Sequence, residues 1–332
     1  MDRFGLSIGV SPREPLRRVG DLASLIEADG FEALWVIDFQ VGMKDVHAAM
    51  LLAALHTEKL LIGPGVTNLA TRHATVTANA ITALDEISDG RAMLGLGAGW
   101  SAVLAAGGRP AKLAEIKEGV AQLRKLFAGE NVDVGGRQVA LATARRQVPI
   151  YLAAAQPGML RLAGETADGV ILMGAAEPEF CRWQLAFIRE GLERAGRDRS
   201  ELIIDLQVTM SVDDDLDKAL ADVRAWATSQ AATFVDWKQV PPSYERFRPE
   251  FEKAASSYHL VEHLSLHAGH KDAVSDEFTR LVAIAGDESH CLERLHALSE
   301  LDVDRVTFAL LSGGRERRLK QLTRRMIPAL AS

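Results

Sequence analysis

Short, nearly unbroken apolar runs alternate with longer amphipathic stretches along most of this chain. "RFGLSIGV" (Arg3–Val10) reads as a strand, and "LRRVGDLASLIEADG" as a helix stopped by Gly30. "ALWVID" (Ala33–Asp38) is the next strand and "DVHAAMLLAALHT" the next helix. The same succession recurs in "LLIGPGVT" with "HATVTANAITALDEISDG" and in "RAMLGLGAG" with "LAEIKEGVAQLRKLFAGE". A small hairpin, "VDVGGRQVAL", follows, and then "PIYLAA" with "GMLRLAGETADG". "GVILMG" precedes "EPEFCRWQLAFIREGLERAG", and "LIIDLQVTMSV" precedes "DLDKALADVRAWA". The last unit is "DRVTFALL" with "RERRLKQLTRRMIPAL".

The strands are continuously apolar rather than alternating, as parallel strands covered on both faces must be. Eight such units predict an α/β fold, a (β/α)₈ TIM barrel whose site lies in the loops after the strands. A doubly wound sheet is the alternative. The chain is read as a single domain over residues 1–332, with an insertion or lid at 229–287 between strands seven and eight. Trp237, Tyr244, Phe247, Phe251 and Tyr258 give that insertion an aromatic character, which favours a partly hydrophobic substrate.

In a barrel the informative residues stand at strand ends. Strand two ends at Asp38, a carboxylate able to accept a hydrogen bond from a ligand or to move a proton, or else a capping or salt-bridged residue. Strand three ends in Gly63-Pro64-Gly65-Val66-Thr67-Asn68, where glycine and proline mark an unusual backbone turn. Strand four ends in "GLGAGW" (Gly95–Trp100), whose glycines allow close approach of a flat ligand. This is not G-x-G-x-x-G, and no ribose-binding acid follows, so a Rossmann site is excluded. Strand five ends in "AAAQPGM" (Ala153–Met159), small residues opening directly into a helix whose free N–H groups suit a phosphate.

Composition narrows the function classes. The 332 residues are 48% hydrophobic and 25% charged, with a net charge of −7 and no long run of one sign, so a nucleic-acid footprint is not expected. No apolar run approaches the roughly 20 residues of a membrane span. The charged start "MDRFGLSIGV" does not read as a signal peptide. Cys181 and Cys291 lie far apart in apolar-patterned helices and read as reduced thiols. A cytoplasmic protein is expected.

The string "GPGVTN…TRH..VTA", followed by "LDEISDGRAMLGLGAG" and "AGETADGVIL", resembles the bacterial luciferase-like superfamily. Within it, the chain is most similar to the deazaflavin-dependent branch typified by methylenetetrahydromethanopterin reductase. The likeness covers about Arg3 to Gly174 and resumes at the last strand. It implies coenzyme F420 as cofactor, with FMN as the alternative that relatives use. It also implies a non-prolyl cis peptide at Gly65–Val66, forming a bulge behind the cofactor ring. By motif match, Asp38 lies near the ring edge, Thr67 and Asn68 reach the ring, and Gly97, Ala98 and Gly99 pack along it. Ala155, Gln156, Pro157, Gly158 and Met159, with Gly174, form the phosphate pocket. Two positions depart from the family pattern. Trp100 stands where relatives commonly carry an acidic or polar residue, and their phosphate loop is often richer in Gly, Thr and Ser.

His259, His263 and His267 follow at intervals of four, with Glu262 beside them and His270 three residues on. On a helix they would share one face. That is a metal-ligand spacing, but no second Cys or His pair completes a zinc pattern, and no metal is expected. A proton-donating or substrate-pocket role for His263 or His267 competes with a plain surface face.

The reaction that follows is hydride transfer between F420 and a small organic substrate, with Asp38, His263 and His267 as candidates for the proton. An FMN-dependent monooxygenase using O₂ is the alternative, and it implies a partner that delivers reduced flavin or F420. A non-catalytic flavin-binding protein is the third reading. A homodimer is expected through "AAMLLAALHT" and "TANAITALDEI", with Leu52 and Ala54 in the contact.

Overall fold

The structure, a computed structural model, describes residues 3–259, 271–309 and 319–331. β1 (Phe4–Ile8), α1 (Arg18–Ala28), β2 (Ala33–Val36), α2 (Val46–Leu55), β3 (Leu61–Pro64) and α3 (Ala74–Ile87) form the first three units. β4 (Leu94–Leu96) leads through a short helix, α4 (Trp100–Ala105), into α5 (Leu113–Phe127). The antiparallel hairpin of β5 (Val132–Val134) and β6 (Arg137–Val139) comes next, turning on Gly135 and Gly136, both at positive φ. β7 (Ile150–Ala154), α6 (Pro157–Thr166), β8 (Gly169–Leu172), α7 (Pro178–Ala195), β9 (Ile203–Val212) and α8 (Leu216–Phe234) continue the alternation. After the inserted segment come β10 (Ile284–Gly286), α11 (Glu288–Ser299) and β11 (Arg305–Ala309), with α9 (Arg248–Ser257) and α10 (Asp276–Val282) inside the insertion.

Eight parallel strands run in the order β3-β2-β1-β11-β9-β8-β7-β4. Bridges between Ile62 and Ala92 and between Thr67 and Leu96 bring the two end strands together, giving the barrel. Side chains alternate across its wall. Leu6, Ile8, Leu34, Val36, Leu206 and Val208 face outward into the shell of helices. Ala33, Trp35, Met93, Tyr151 and Ile171 face inward.

The inward layer is held by one polar cluster. Trp35 Nε1 donates to Asp205 Oδ2 at 2.8 Å, Arg305 Nε to the same oxygen at 2.9 Å, and Thr307 Oγ1 to Oδ1 at 2.6 Å. Both Asp205 and Arg305 are fully buried. Burial opposes the charge on Arg305, but Asp205, the Tyr151 hydroxyl and Glu32 outweigh it, so the guanidinium stays charged.

Two features of the insertion depart from expectation. The sequence pattern puts its start at Ser229, yet α8 runs through Ser229 to Phe234, because Ala227, Ala231, Ala232 and Phe234 pack into a second core. That core also takes Trp237, Tyr244, Phe247 and Phe251, each at most 4% exposed. These four aromatics therefore fill their own helical cap and do not line a substrate pocket. β10 was not legible as a strand; it pairs in parallel with the distal end of β9, Ile284 against Met210.

Candidate active site

The mouth of the barrel is built from residues with almost no side chain. A Cβ at Gly95 would lie 2.2 Å from the Pro64 carbonyl oxygen, and one at Gly97 would lie 2.8 Å from Val66 Cγ2. At Gly65 it would lie 2.6 Å from Trp35 Cβ. Strands three and four therefore press together over the indole with no room for substituents. The Gly65–Val66 peptide is cis, as the resemblance implies, and Val66 is partly exposed beside Gly65. Ile37, Ala98, Ala153, Ala155 and Met173 are also partly exposed around the mouth. The result is a mouth nearly free of side chains around the cis peptide, with Trp35 buried beneath it at 1% exposure.

Asp38 stands at the rim but is not free. Arg72 grips both carboxylate oxygens, Nη1 on Oδ2 and Nη2 on Oδ1, the latter at 3.2 Å, and Thr67 Oγ1 donates to Oδ2 at 2.7 Å. The Asp38 side chain is 3% exposed. A carboxylate so saturated holds position; Asp38 clamps the loop after β3 to the end of β2, which is the salt-bridged alternative. His47 lies nearby, and burial and the Arg72 guanidinium both depress its pKa, so it is held neutral. Asn68, expected to reach the ring, accepts from the Ala70 and Thr71 N–H groups at 3.1 and 2.8 Å and from Thr71 Oγ1 at 3.0 Å. Its oxygen is spent on that turn.

The expected phosphate pocket keeps its donors. Gln156 precedes α6 without a side-chain cap, Pro157 at the first turn carries no N–H, and the N–H groups of Gly158 and Met159 remain on partly exposed backbone. The neighbouring strand end is fixed by Gln184, a residue the sequence did not single out. From inside α7 its Nε2 donates to the Ala155 carbonyl at 3.1 Å and the Met173 carbonyl at 2.6 Å. Gly174, at φ 134°, leaves room for this strut, since a Cβ there would meet Phe180 at 2.7 Å and Gln184 Nε2 at 3.3 Å.

Trp100 opens α4 directly after Gly99, at φ 79°, and its ring lies 5.2 Å from that of Tyr258 in the insertion. Tyr258 Oη donates to Ser229 Oγ at 3.2 Å, and burial pushes its pKa up to about 12. Of the histidines expected to serve the site, His263, His267 and His270 lie outside the described residues. Among the described residues no group of three or more His, Cys, Asp or Glu could hold a metal. A separate groove of about 460 Å³ lies between the starts of α3 and α5, lined by Leu69, His73, Arg109, Glu115 and Gln122. It is outside the barrel and shares no residue with the glycine-rich mouth.

A (β/α)₈ barrel with a non-prolyl cis peptide among glycine-rich strand ends, and an uncapped helix start beside them, is the class of fold defined here. The chain belongs to the luciferase-like monooxygenase family, whose model matches residues 2–305. It is 37% identical to the 5,10-methylenetetrahydromethanopterin reductase of Methanolobus tindarius over 217 residues, 63% of this chain and 65% of that protein, just under two thirds of the relative's length. It is 31% identical to the F420-dependent glucose-6-phosphate dehydrogenase of Nakamurella multipartita, over 68% of this chain and 72% of that one. The solved structure of the coenzyme F420 dependent tetrahydromethanopterin reductase of Methanopyrus kandleri superposes with a TM-score of 0.79 at 24% identity, covering 99% of both chains, and shares the fold.

Replacing Arg72 by Ala strands the buried Asp38 carboxylate, at an expected cost of roughly 3 kcal/mol. Urea denaturation of Arg72→Ala and Arg72→Lys checks this, with Lys expected to recover only part of the loss because it cannot engage both oxygens. Equal stability of Arg72→Ala and wild type would show that the clamp is not structural.

Proposed function

We propose that this protein is an oxidoreductase that transfers a hydride between coenzyme F420 and a small organic substrate. The observation that carries the reading is the glycine-rich set of strand ends around the cis Gly65–Val66 peptide, beside the uncapped start of α6, a backbone suited to a planar ring and its phosphate. The name of the similar F420-dependent glucose-6-phosphate dehydrogenase supports F420 over FMN.

In this reading Val66, Gly97, Ala98 and Gly99 contact the ring, while Thr67 and Asn68 shape the loop behind it. Ala155, Gln156, Pro157, Gly158, Met159 and Gly174 form the phosphate pocket, with hydrogen bonds coming from the Gly158 and Met159 N–H groups. The bound cofactor supplies the hydride. Asp38 keeps the β3 loop in place, and Trp100 with Tyr258 narrows the entrance. Proton delivery then falls to another group, for which His263 and His267 are the candidates, rather than to Asp38.

We further propose a single domain over residues 1–332, with the segment between the end of α8 and β10, rather than the whole of 229–287, as a cap over the mouth, acting in the cytoplasm. The aromatic core of that cap and the two free, buried cysteines support this. No described helix is long and apolar enough to cross a membrane.

Paired fluorescence titrations of the purified apoprotein with F420 and FMN test the cofactor. Tight F420 binding with weak FMN binding is expected. Preference for FMN would overturn the deazaflavin reading, favour the monooxygenase, and require a partner supplying reduced flavin.

Self-association through α2 and α3 completes the proposal, supported by Leu55 and Val76, which are 67% and 57% exposed on these adjacent helices. Ala54, expected in that contact, is instead buried inside the protomer at 3% exposure, so a charge there tests folding rather than association. Val76→Asp is expected to give monomers in sedimentation, and an unchanged mass relative to a wild-type dimer would refute this interface.

A further inference from the structure

The ladder between β7 and β8 ends where Ala154 meets Leu172, with one more bond from the Met173 N–H to the Ala154 carbonyl at 3.1 Å. Two carbonyls, those of Ala155 and Met173, lie just beyond it, and Gln184 takes both. This residue of α7 is fully buried; its Nε2 donates at 3.1 and 2.6 Å, while its own Oε1 has no partner. An amide buried with an orphan oxygen is a poor stabiliser, because that atom forfeits its hydration without return. The worth of Gln184 lies in what its two N–H donors hold.

They hold the direction of two amides. The Ala155–Gln156 and Met173–Gly174 peptides are trans, and in a trans peptide the C=O and the following N–H point opposite ways. With both carbonyls drawn toward α7, the N–H groups of Gln156 and Gly174 are turned away from that helix. Neither N–H has a hydrogen-bond partner among the described residues. One nitrogen reaches both carbonyls, so the two peptides are neighbours. They are also within reach of a ligand, since Ala155 and Met173 are partly exposed and Gln156 is exposed. Gly158 and Met159 follow at the start of α6 with N–H groups of their own. Adjacent unpaired backbone N–H groups form a concavity that favours an anion.

Resting on the proposed function, we propose that Gln184 is the positioning residue of the phosphate pocket. It touches no ligand; by drawing two carbonyls back it presents the Gln156 and Gly174 N–H groups to the phosphate of the cofactor. Without it those carbonyls are free to swing outward, setting partial negative charge against the anion.

Fluorescence titrations with two ligands test this: coenzyme F420, and the ribityl deazaflavin that lacks the phosphate. Gln184→Met fills similar space without donors. It should bind F420 about tenfold more weakly, the scale of a hydrogen bond lost to a charged group, and bind the phosphate-free deazaflavin like wild type. Equal losses for the two ligands, as a merely structural role would give, or no loss for F420, would overturn the inference. A measurement on the wild-type protein decides the matter if the variant does not fold. Met173–Gly174 is the one Met-Gly pair in the sequence, so labelling with ¹³C-carbonyl methionine and ¹⁵N-glycine isolates the Gly174 amide signal. Its proton should move downfield with F420 and stay in place with the phosphate-free ligand. The same shift with both ligands, or none with either, would overturn the inference and leave the proposed function standing. Failure of wild type itself to bind F420 would overturn the proposed function, and this inference with it.

Discussion

The hydrogen bond from the Trp35 indole to Asp205 sets the terms for everything above it. An indole in the middle of a barrel needs a partner for its N–H, and Asp205 supplies one while also neutralising Arg305 and binding Thr307. With the ring fixed there, strands three and four can close over it only if they carry no side chains. Gly63, Gly65 and Gly95 all lie where a Cβ would fall within about 3 Å of Trp35 or the facing backbone. The absence of side chains at these strand ends is thus a packing consequence of a large residue beneath them. The same glycines that look like a ligand motif in the sequence are also demanded by the floor.

The rim is fixed by a different kind of force. Arg72 and Thr67 converge on Asp38, Asn68 caps the turn that follows, and Gln184 ties the ends of β7 and β8 from behind. Each group at the strand ends that can be traced is spent on holding the backbone. The surfaces left for a ligand are main-chain N–H groups and small side chains. A site of this kind orients a cofactor and leaves the redox chemistry to it.

Much of this was legible in the sequence. The barrel followed from continuous apolar strands at regular spacing, and the hairpin from paired glycines between alternating residues. The cis peptide at Gly65–Val66 was legible only through the resemblance of its motif; spacing alone gives a tight turn. What was not legible depends on partners distant in sequence. Asp38 reads as a rim carboxylate until Arg72, 34 residues on, is seen to grip it. Gln184 sits mid-helix with nothing local to mark it. Trp237 and the phenylalanines of the insertion read as a ligand surface because composition cannot distinguish a small separate core from a lined pocket. The same limit hid β10, three residues whose pairing is set by the length of β9.

Diffraction from crystals of the protein grown with coenzyme F420 tests the central claim most directly. The account predicts the deazaflavin ring flat against Val66 above Trp35, with its phosphate within hydrogen-bonding distance of the Gly158 and Met159 N–H groups. A ring bound outside the barrel, for instance in the groove beside His73 and Glu115, or a phosphate held away from the start of α6, would contradict it.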